Sequence, residues 1–418
     1  MGSARLGARR PLLAKKGEAL LFDYTAAPIH EEDLVRVRRQ LHMYPELGWE
    51  LTRTSALVQA ELKQAGVPFE ADKYGKNSVV ATINPDKTDF TIGIRGDMDA
   101  LPILEADHGQ PDRSKNDGVM HACGHDTHTA MLLETAKALY AIKDRLACRV
   151  KLLFQPCEES KPSGARTMCE HGVMDDIDCI IMCHVNCNDP CGAPSCRVGV
   201  TNATSSRFSI VTHGESVHVA APHRGKDALA MGVKIYLGIQ MLLSRELDPF
   251  DPCVIGVCTM NAGATVAVNA DRCEMTGSIR CFKDETRQWA RARIDSLCAA
   301  VCGEMGGTYT FDMPADALPC AVNDERMYNA FVKSSEYVLG ANAVLPLLPS
   351  PGGEDFAYYE QKKPGLLFGL GLRNDEKGFN RPAHTKDWDV DERGMLNGVR
   401  LFVQFVIDNM HGVPGIKG

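Results

Sequence analysis

Apolar positions along the first half of the chain fall into two alternating rhythms. Leu34, Val37 and Leu41 recur at the three-to-four-residue spacing that puts them on one face of a helix over 33–44, and Pro45 ends it. A second helical stretch is predicted from about Thr54 to Ala65, before Gly66. Strand-like runs follow at Ser78–Ile83 and Phe90–Arg95, then a long helical pattern from about Asp126 to Ala141. Val150–Phe154 and Cys179–Val185 are short apolar runs, each followed by turn residues. Strands that alternate with helices in this way predict an α/β layer built on a mainly parallel sheet.

The pattern changes in the middle of the chain. Arg207–Thr212 reads as a strand and Lys226–Leu243 as a helix with Leu229, Val233 and Leu237 at four-residue steps. Val254–Met260 and Cys273–Cys281 read as two further strands. Asp284 caps a helix carrying Ile294, Leu297, Val301 and Met305, and Thr308–Asp312 closes the set as a strand. The order β-α-β-β-α-β is that of a ferredoxin-like α+β unit. Helix and strand signals resume at 324–338 and 366–370. The expected division is a tail over 1–25, a first domain made of 26–200 and 316–418, and a second domain, 201–315, inserted into it.

Composition narrows the classes of function. A chain of 418 residues exceeds one ordinary core and suits two or three domains. With 44% apolar and 24% charged residues it has globular usage, and no apolar run approaches the roughly 20 residues of a membrane span. The net charge of −8 argues against nucleic acid or an anionic membrane as partner. Sixteen cysteines without a secretory signal read mostly as small buried apolar residues, with a few as metal ligands or reactive thiols, and make a cytoplasmic location the expectation. The basic start (Arg5, Arg9, Arg10, Lys15, Lys16) reads as a solvated tail, with organelle import as its alternative.

The candidate chemistry is spread over five segments. In Met120–His128, Cys123 and His125 flank a glycine where the long helix begins; thiolate and imidazole suit zinc, and imidazole also serves manganese or cobalt. His121 and His128 read as packed or solvated. Gln155-Pro156-Cys157-Glu158-Glu159 follows one strand, His184 ends another, and Asp97 and Asp99 end a third. His384 lies in the last tenth of the chain. Each taken singly has a bland reading, a charged turn or a satisfied histidine. Together they collect thiol, imidazole and carboxylate groups at the carboxyl edge of one sheet, where open α/β folds place their sites.

Asp97-Met98-Asp99-Ala100-Leu101-Pro102, His121–His128, Gln155–Glu159, His184-Val185, Gly353-Glu354-Asp355-Phe356 and His384, in that order, resemble the M20 metallopeptidase family. The branch resembled is that of amidohydrolases acting on N-acyl amino acids, including aminoacylase-like, hippurate and auxin-conjugate hydrolases. The resemblance spans about 33–405. It implies a metal-binding catalytic domain with an inserted lid, often the dimer interface, and hence a homodimer. It implies two divalent ions per chain, zinc, manganese or cobalt, and a small-molecule N-acyl-amino acid as substrate.

Residue by residue, the resemblance makes Cys123 a ligand able to bridge two metals and His125, Glu159, His184 and His384 the other ligands. Glu158 matches the general base and Asp97 an aspartate supporting the metal centre. Where other branches have a histidine ligand, this chain has Arg95. His218, in Val217–His223, matches a histidine that polarises the scissile carbonyl, often from the partner subunit. Arg280 matches an arginine that holds the substrate carboxylate, for which a planar fork is suited.

Three positions depart from the family pattern: Ser216-Val217 stands where Gly-Gly is usual, Ala267 where asparagine is, and Gly353 where serine is common. They bear on the substrate pocket and touch no candidate ligand. A dipeptidase or carboxypeptidase of the same family would share every metal residue. A non-catalytic binding protein is an alternative of another class. So is a thiol or metal-storage role, suggested by Cys179, Cys183, Cys187, Cys191 and Cys196 around His184.

Overall fold

A computed structural model describes residues 22–314 and 317–417. The basic residues of the tail lie outside the described residues, whereas Phe22–Ala26, partly counted with that tail, pack on the body. Asp23 caps a 3-10 turn over Tyr24–Ala26, and the Tyr24 N–H donates to Gln404 at 3.0 Å.

The first elements are α1 (Glu31–Met43), α2 (Thr52–Gln64), β1 (Phe69–Ala71), β2 (Val79–Ile83) and β3 (Thr91–Asp97). They are followed by α3 (His125–Ala141), β4 (Arg149–Gln155), α4 (Gly164–Glu170), β5 (Cys179–Pro190), β6 (Pro194–Cys196) and β7 (Gly199–Asn202). The middle elements are β8 (Thr204–His213), α5 (Ala228–Arg245), β9 (Cys253–Ala262), β10 (Arg272–Cys281), α6 (Asp284–Glu304) and β11 (Thr308–Asp312). The last are β12 (Ala321–Asn323), α7 (Glu325–Leu339), β13 (Leu345–Pro346), α8 (Ala357–Glu360), β14 (Gly365–Arg373) and α9 (Met395–Asp408).

The main sheet has eight strands in the order β1-β2-β4-β3-β5-β14-β6-β13. Its centre, β4-β3-β5-β14, is parallel, while β1, β2 and β6 add antiparallel pairings. Every residue of β3 is buried, as expected of a strand covered on both faces. One face carries α1, α3, α7 and α9 over a large apolar core; the other carries α4 and α8 over a smaller one. From β3 the chain crosses through α3 to β4 on one side, then through α4 to β5 on the other. The direction of winding therefore reverses at β3, and such a switch point opens a crevice at the carboxyl ends of the strands.

The middle segment forms its own four-stranded antiparallel sheet, order β11-β8-β10-β9, with α5 and α6 packed on one face over a separate core. Its two connections to the larger sheet run side by side as the paired strands β7 and β12.

The cysteine rhythm has a packing explanation. Along a strand, steps of four keep to one face, and Cys179, Cys183 and Cys187 of β5 sit with Ile181 and Val185 in the core under α3 and α9. Burial pushes the Cys187 thiol up to about 11 and Cys196 to about 12, and Cys187 and Cys196 each donate to a backbone carbonyl. None of the five belongs to a candidate metal group among the described residues.

Candidate metal centre

Five backbone features bring the candidate groups to one place. Asp97 ends β3, the Glu158–Glu159 turn follows β4, and His184 sits in β5, all at the same edge of the sheet. Cys123 and His125 arrive at the amino end of α3. Gly124 between them has φ +92°, and a Cβ there would lie 2.4 Å from Val185 Cγ2 and 2.9 Å from Trp388, so only glycine fits. His384 comes from the loop after β14; it is left-handed at φ +65°, and its N–H is held at 2.8 Å by the Ala122 carbonyl.

Cys123 lies at the middle of the resulting cluster. Its Sγ is 3.6 Å from His184 Nε2 and 3.3 Å from His384 Nε2. His384 Nε2 is also 3.2 Å from Glu159 Oε1, which lies 3.9 Å from His125 Nε2. Two metal-sized triads result, Cys123–His125–His184 and Cys123–Glu159–His384, sharing the one sulfur. Both ring nitrogens of buried His125 lack a hydrogen-bond partner, as does Glu159 Oε1. Buried nitrogen and oxygen that make no hydrogen bond, beside a thiol, form a donor set that fits a divalent cation. His184 is already oriented: its Nδ1–H donates to the Val185 carbonyl at 2.8 Å, which turns Nε2 toward the cluster.

The electrostatics agree with that donor set. Burial would raise the Cys123 thiol, but the charges of His125 and His184 bring it down to about 6. Burial works against charging His184, yet Cys123 beside it raises it to about 9. Burial, with the charges of Glu354 and Glu159, holds the Glu158 carboxyl well above the usual carboxylate range.

A ring of buried polar groups supports the cluster. Asp99 accepts from the Glu158 and Glu159 N–H groups at 2.9 and 3.1 Å and so fixes the turn that carries both carboxylates. Asp97 Oδ1 accepts from His128 Nδ1 at 2.6 Å, and its Oδ2 lies 3.5 Å from His125 Nε2. His128 Nε2 accepts from the Val185 N–H at 2.9 Å, so both of its ring nitrogens are occupied and it is a structural brace. Arg95 donates to Gln155, Asp97 and Asp355 at 2.8, 2.6 and 2.7 Å and lies 3.2 Å from Glu354. Arg95 is thus a buried cation that ties β3 and β4 to the 354–355 turn. The sequence places Asp99 at the carboxyl edge of the sheet with Asp97 but assigns it no task, and it gives Arg95 none beyond not being a ligand.

The two candidate residues of the smaller sheet are placed differently. Arg280 reaches the 350–356 loop: a Cβ added at Gly353 would lie 3.5 Å from Arg280 Nη1 and 2.5 Å from Leu318 Cδ2. A side chain at 353 would therefore have to displace the Leu318 methyl group. His218 is exposed, and among the described residues no hydrogen bond or ion pair joins it to the cluster; its Nδ1 accepts from the Ala220 N–H. Its segment is pinned to the β9–β10 loop, Val219 N–H to Ala267 O at 2.9 Å and Asn269 N–H to Val217 O at 3.0 Å.

Comparison with known proteins decides the family. Residues 93–408 match peptidase family M20/M25/M40, and the chain is 35% identical over 380 residues to thermostable carboxypeptidase 1 of Saccharolobus solfataricus, covering 90% of this chain and 96% of that one. The chain belongs to the M20 family. It is a hydrolase acting on amide bonds. It is also 33% identical to a Bacillus subtilis N-acetyl-L-cysteine deacetylase, over 85% of this chain and 84% of that one. Among solved structures, the Bacillus subtilis YXEP protein, described as a dinuclear metal-binding peptidase of the M20 family, superposes with a TM-score of 0.78 at 29% identity, covering 90% of this chain and 97% of that one. Among the described residues no helix is long and apolar enough to cross a membrane.

Proposed function

We propose that this M20 hydrolase cleaves the amide bond of N-acyl amino acids at a centre of two divalent ions, releasing a carboxylic acid and a free amino acid. The observation that carries the reading is the pair of triads meeting at Cys123. There Cys123 would be shared, His125 and His184 would complete one site, and Glu159 and His384 the other. Zinc, manganese and cobalt all suit these donors. Bound there, the ions supply Lewis acidity that polarises the amide carbonyl and acidifies water.

The chain's own residues do the rest. Glu158, beside ligand Glu159 and held in place through Asp99, takes the proton of the attacking water and returns it to the leaving amine. Arg280 orients the free carboxylate of the amino-acid half. Asp97 sets the orientation of His125 and, through His128, the end of β5. Relatives include thermostable carboxypeptidases and deacetylases alike. Arg207 and Arg280 of the smaller sheet have no hydrogen-bond or ion-pair partner among the described residues, which favours a substrate with a free carboxylate, as N-acyl amino acids and peptide C-termini both have.

The test is amine release from acetyl-, benzoyl- and indoleacetyl-amino acids and from dipeptides, with the protein loaded separately with zinc, manganese or cobalt. The expected result is release from the acyl-amino acids that stops on chelation and returns with metal. Faster release from dipeptides than from every acyl-amino acid would move the reading to a peptidase.

The smaller unit is proposed as lid and dimer interface. One face of α5 exposes Leu229, Val233, Tyr236, Leu237 and Met241, and β9 beside it is an unpaired edge with exposed Val254. A stripe of this kind on a soluble chain marks an interface, and a second copy would bring its His218 toward the cluster that His218 does not contact within its own chain. Introducing Leu237→Asp with Met241→Asp is expected to halve the mass measured by light scattering and to raise KM or abolish turnover. A wild-type monomer would remove the proposal. The sixteen unpaired cysteines suit a reducing, cytoplasmic setting.

A further inference from the structure

The smaller sheet has a covered and an open face. Phe208 and Ile210 of β8 and Cys273, Met275, Ile279 and Cys281 of β10 point into the core beneath α5 and α6. Strand alternation then puts Ser205, Arg207, Ser278 and Arg280 together on the opposite face. The register pairs Arg280 with Ser205 and Ser278 with Arg207, which makes the two arginines diagonal neighbours. Diagonal positions on adjacent strands lie roughly 7–8 Å apart. The rest of this floor is small: Gly256 stands opposite Ser278 and Val254 opposite Arg280 on β9.

Neither guanidinium has a hydrogen-bond or ion-pair partner among the described residues. Asp312, opposite Ser209 on β11, is the nearest acid on this face by register and makes no ion pair with Arg207. Burial and the charge of Arg207 together lower the pKa of half-buried Arg280. Exposed Arg207 and half-buried Arg280 therefore present two neighbouring cations on one open face, an arrangement that suits an anion. Arg280 Nη1 lies 3.5 Å from where a Cβ at Gly353 would stand, and the next residue, Glu354, lines the carboxylate side of the cluster, in one group with Glu158 and Asp355.

We propose that Arg207 and Arg280 form a two-cation subsite for substrates with two carboxylates, Arg280 taking the α-carboxylate and Arg207 a second one. This rests on the N-acyl-amino-acid reading above and narrows it. Each planar fork can donate to one carboxylate in bidentate fashion, and the spacing of the two positions suits carboxylates separated by two or three carbons, as in an N-acyl-aspartate or N-acyl-glutamate. A dicarboxylic acyl group is the other source of a second carboxylate, and the test separates the two.

The measurement is kcat and KM of the metal-loaded full chain on N-acetyl-glutamate, N-acetyl-glutamine, N-acetyl-alanine and N-succinyl-alanine, for wild type, Arg207→Gln, Arg207→Lys and Arg280→Gln. Wild type is expected to prefer acetyl-glutamate over acetyl-glutamine. Arg207→Gln should reduce that preference at least tenfold through KM, and Arg207→Lys should restore part of it. Arg280→Gln should weaken every substrate together. If succinyl-alanine carries the Arg207 dependence instead, the second carboxylate belongs to the acyl half. An equal loss on acetyl-glutamate and acetyl-glutamine, or no loss, overturns the proposal. If no acyl-amino acid is turned over, the functional reading fails by itself. Calorimetric titration with acetyl-glutamate and acetyl-glutamine then decides the subsite: weaker binding of the dicarboxylate alone in Arg207→Gln supports it, and equal binding overturns it.

Discussion

Glu158→Gln is expected to leave the metal content of the protein intact and to lower turnover by at least about a hundredfold, the ordinary worth of a positioned general base. The substitution is nearly isosteric. Glutamine keeps an oxygen that can accept the Asp355 N–H, which Glu158 Oε1 meets at 3.4 Å, and the turn itself is held through backbone N–H groups by Asp99. Neither triad around Cys123 includes Glu158. What the variant lacks is a basic oxygen. Burial and the charges of Glu354 and Glu159 raise the affinity of that carboxyl for a proton, which suits a group that must accept one and later give it back. Elemental analysis and initial rates on the same preparation check both halves. Retained turnover removes Glu158 as base, and loss of metal moves it into the ligand set.

The sheet edge was legible because the central strands announce themselves. Parallel strands buried on both faces read as apolar runs; Asp97 ends β3 and Glu158-Glu159 follow β4, whereas β5 runs on past His184 to Pro190. The cluster around Cys123 follows from that placement and from the helix start at His125. What could not be read lies in contacts that local periodicity does not encode. Arg95 is a charge inside a fully buried strand, and two of its partners, Glu354 and Asp355, come from the far end of the chain. Arg38 and His42 are similar. A helix with Leu34, Val37 and Leu41 inside should present them near its polar flank, yet both are buried, with Arg38 against Asp112, Asp126, Asp389 and Glu392 and His42 against Asp126 and Glu105. The cysteine run was legible as buried packing, but the reason for its spacing was not. Its four-residue step suggests a cluster, but on β5 it is simply every second inward position.

Arg95→Met is expected to cost about 3–5 kcal/mol of folding stability, the usual consequence of removing one partner from a buried ion network. The guanidinium is fully enclosed and faces Asp97, Glu354 and Asp355, all buried. Methionine fills much of its volume, so the loss comes mainly from carboxylates left without a cation. The sign of the pH dependence follows from Asp355. Burial raises this carboxyl from the usual range to about 6, against the pull of Arg95. A carboxyl raised in the folded state weakens folding as pH climbs from its unfolded value through its folded one. Without Arg95 the folded value rises further, so the deficit of Arg95→Met should be larger at pH 8 than at pH 5. Urea unfolding at both pH values measures this, and Asp355→Asn added to Arg95→Met should recover part of the loss. A deficit below about 1 kcal/mol, equal at both pH values, would mean that the carboxylates are neutralised by protons and that Arg95 fills space. With the deficit as expected, Arg95 is the cation that lets β3, β4 and the 354–355 turn carry their acids into one buried site.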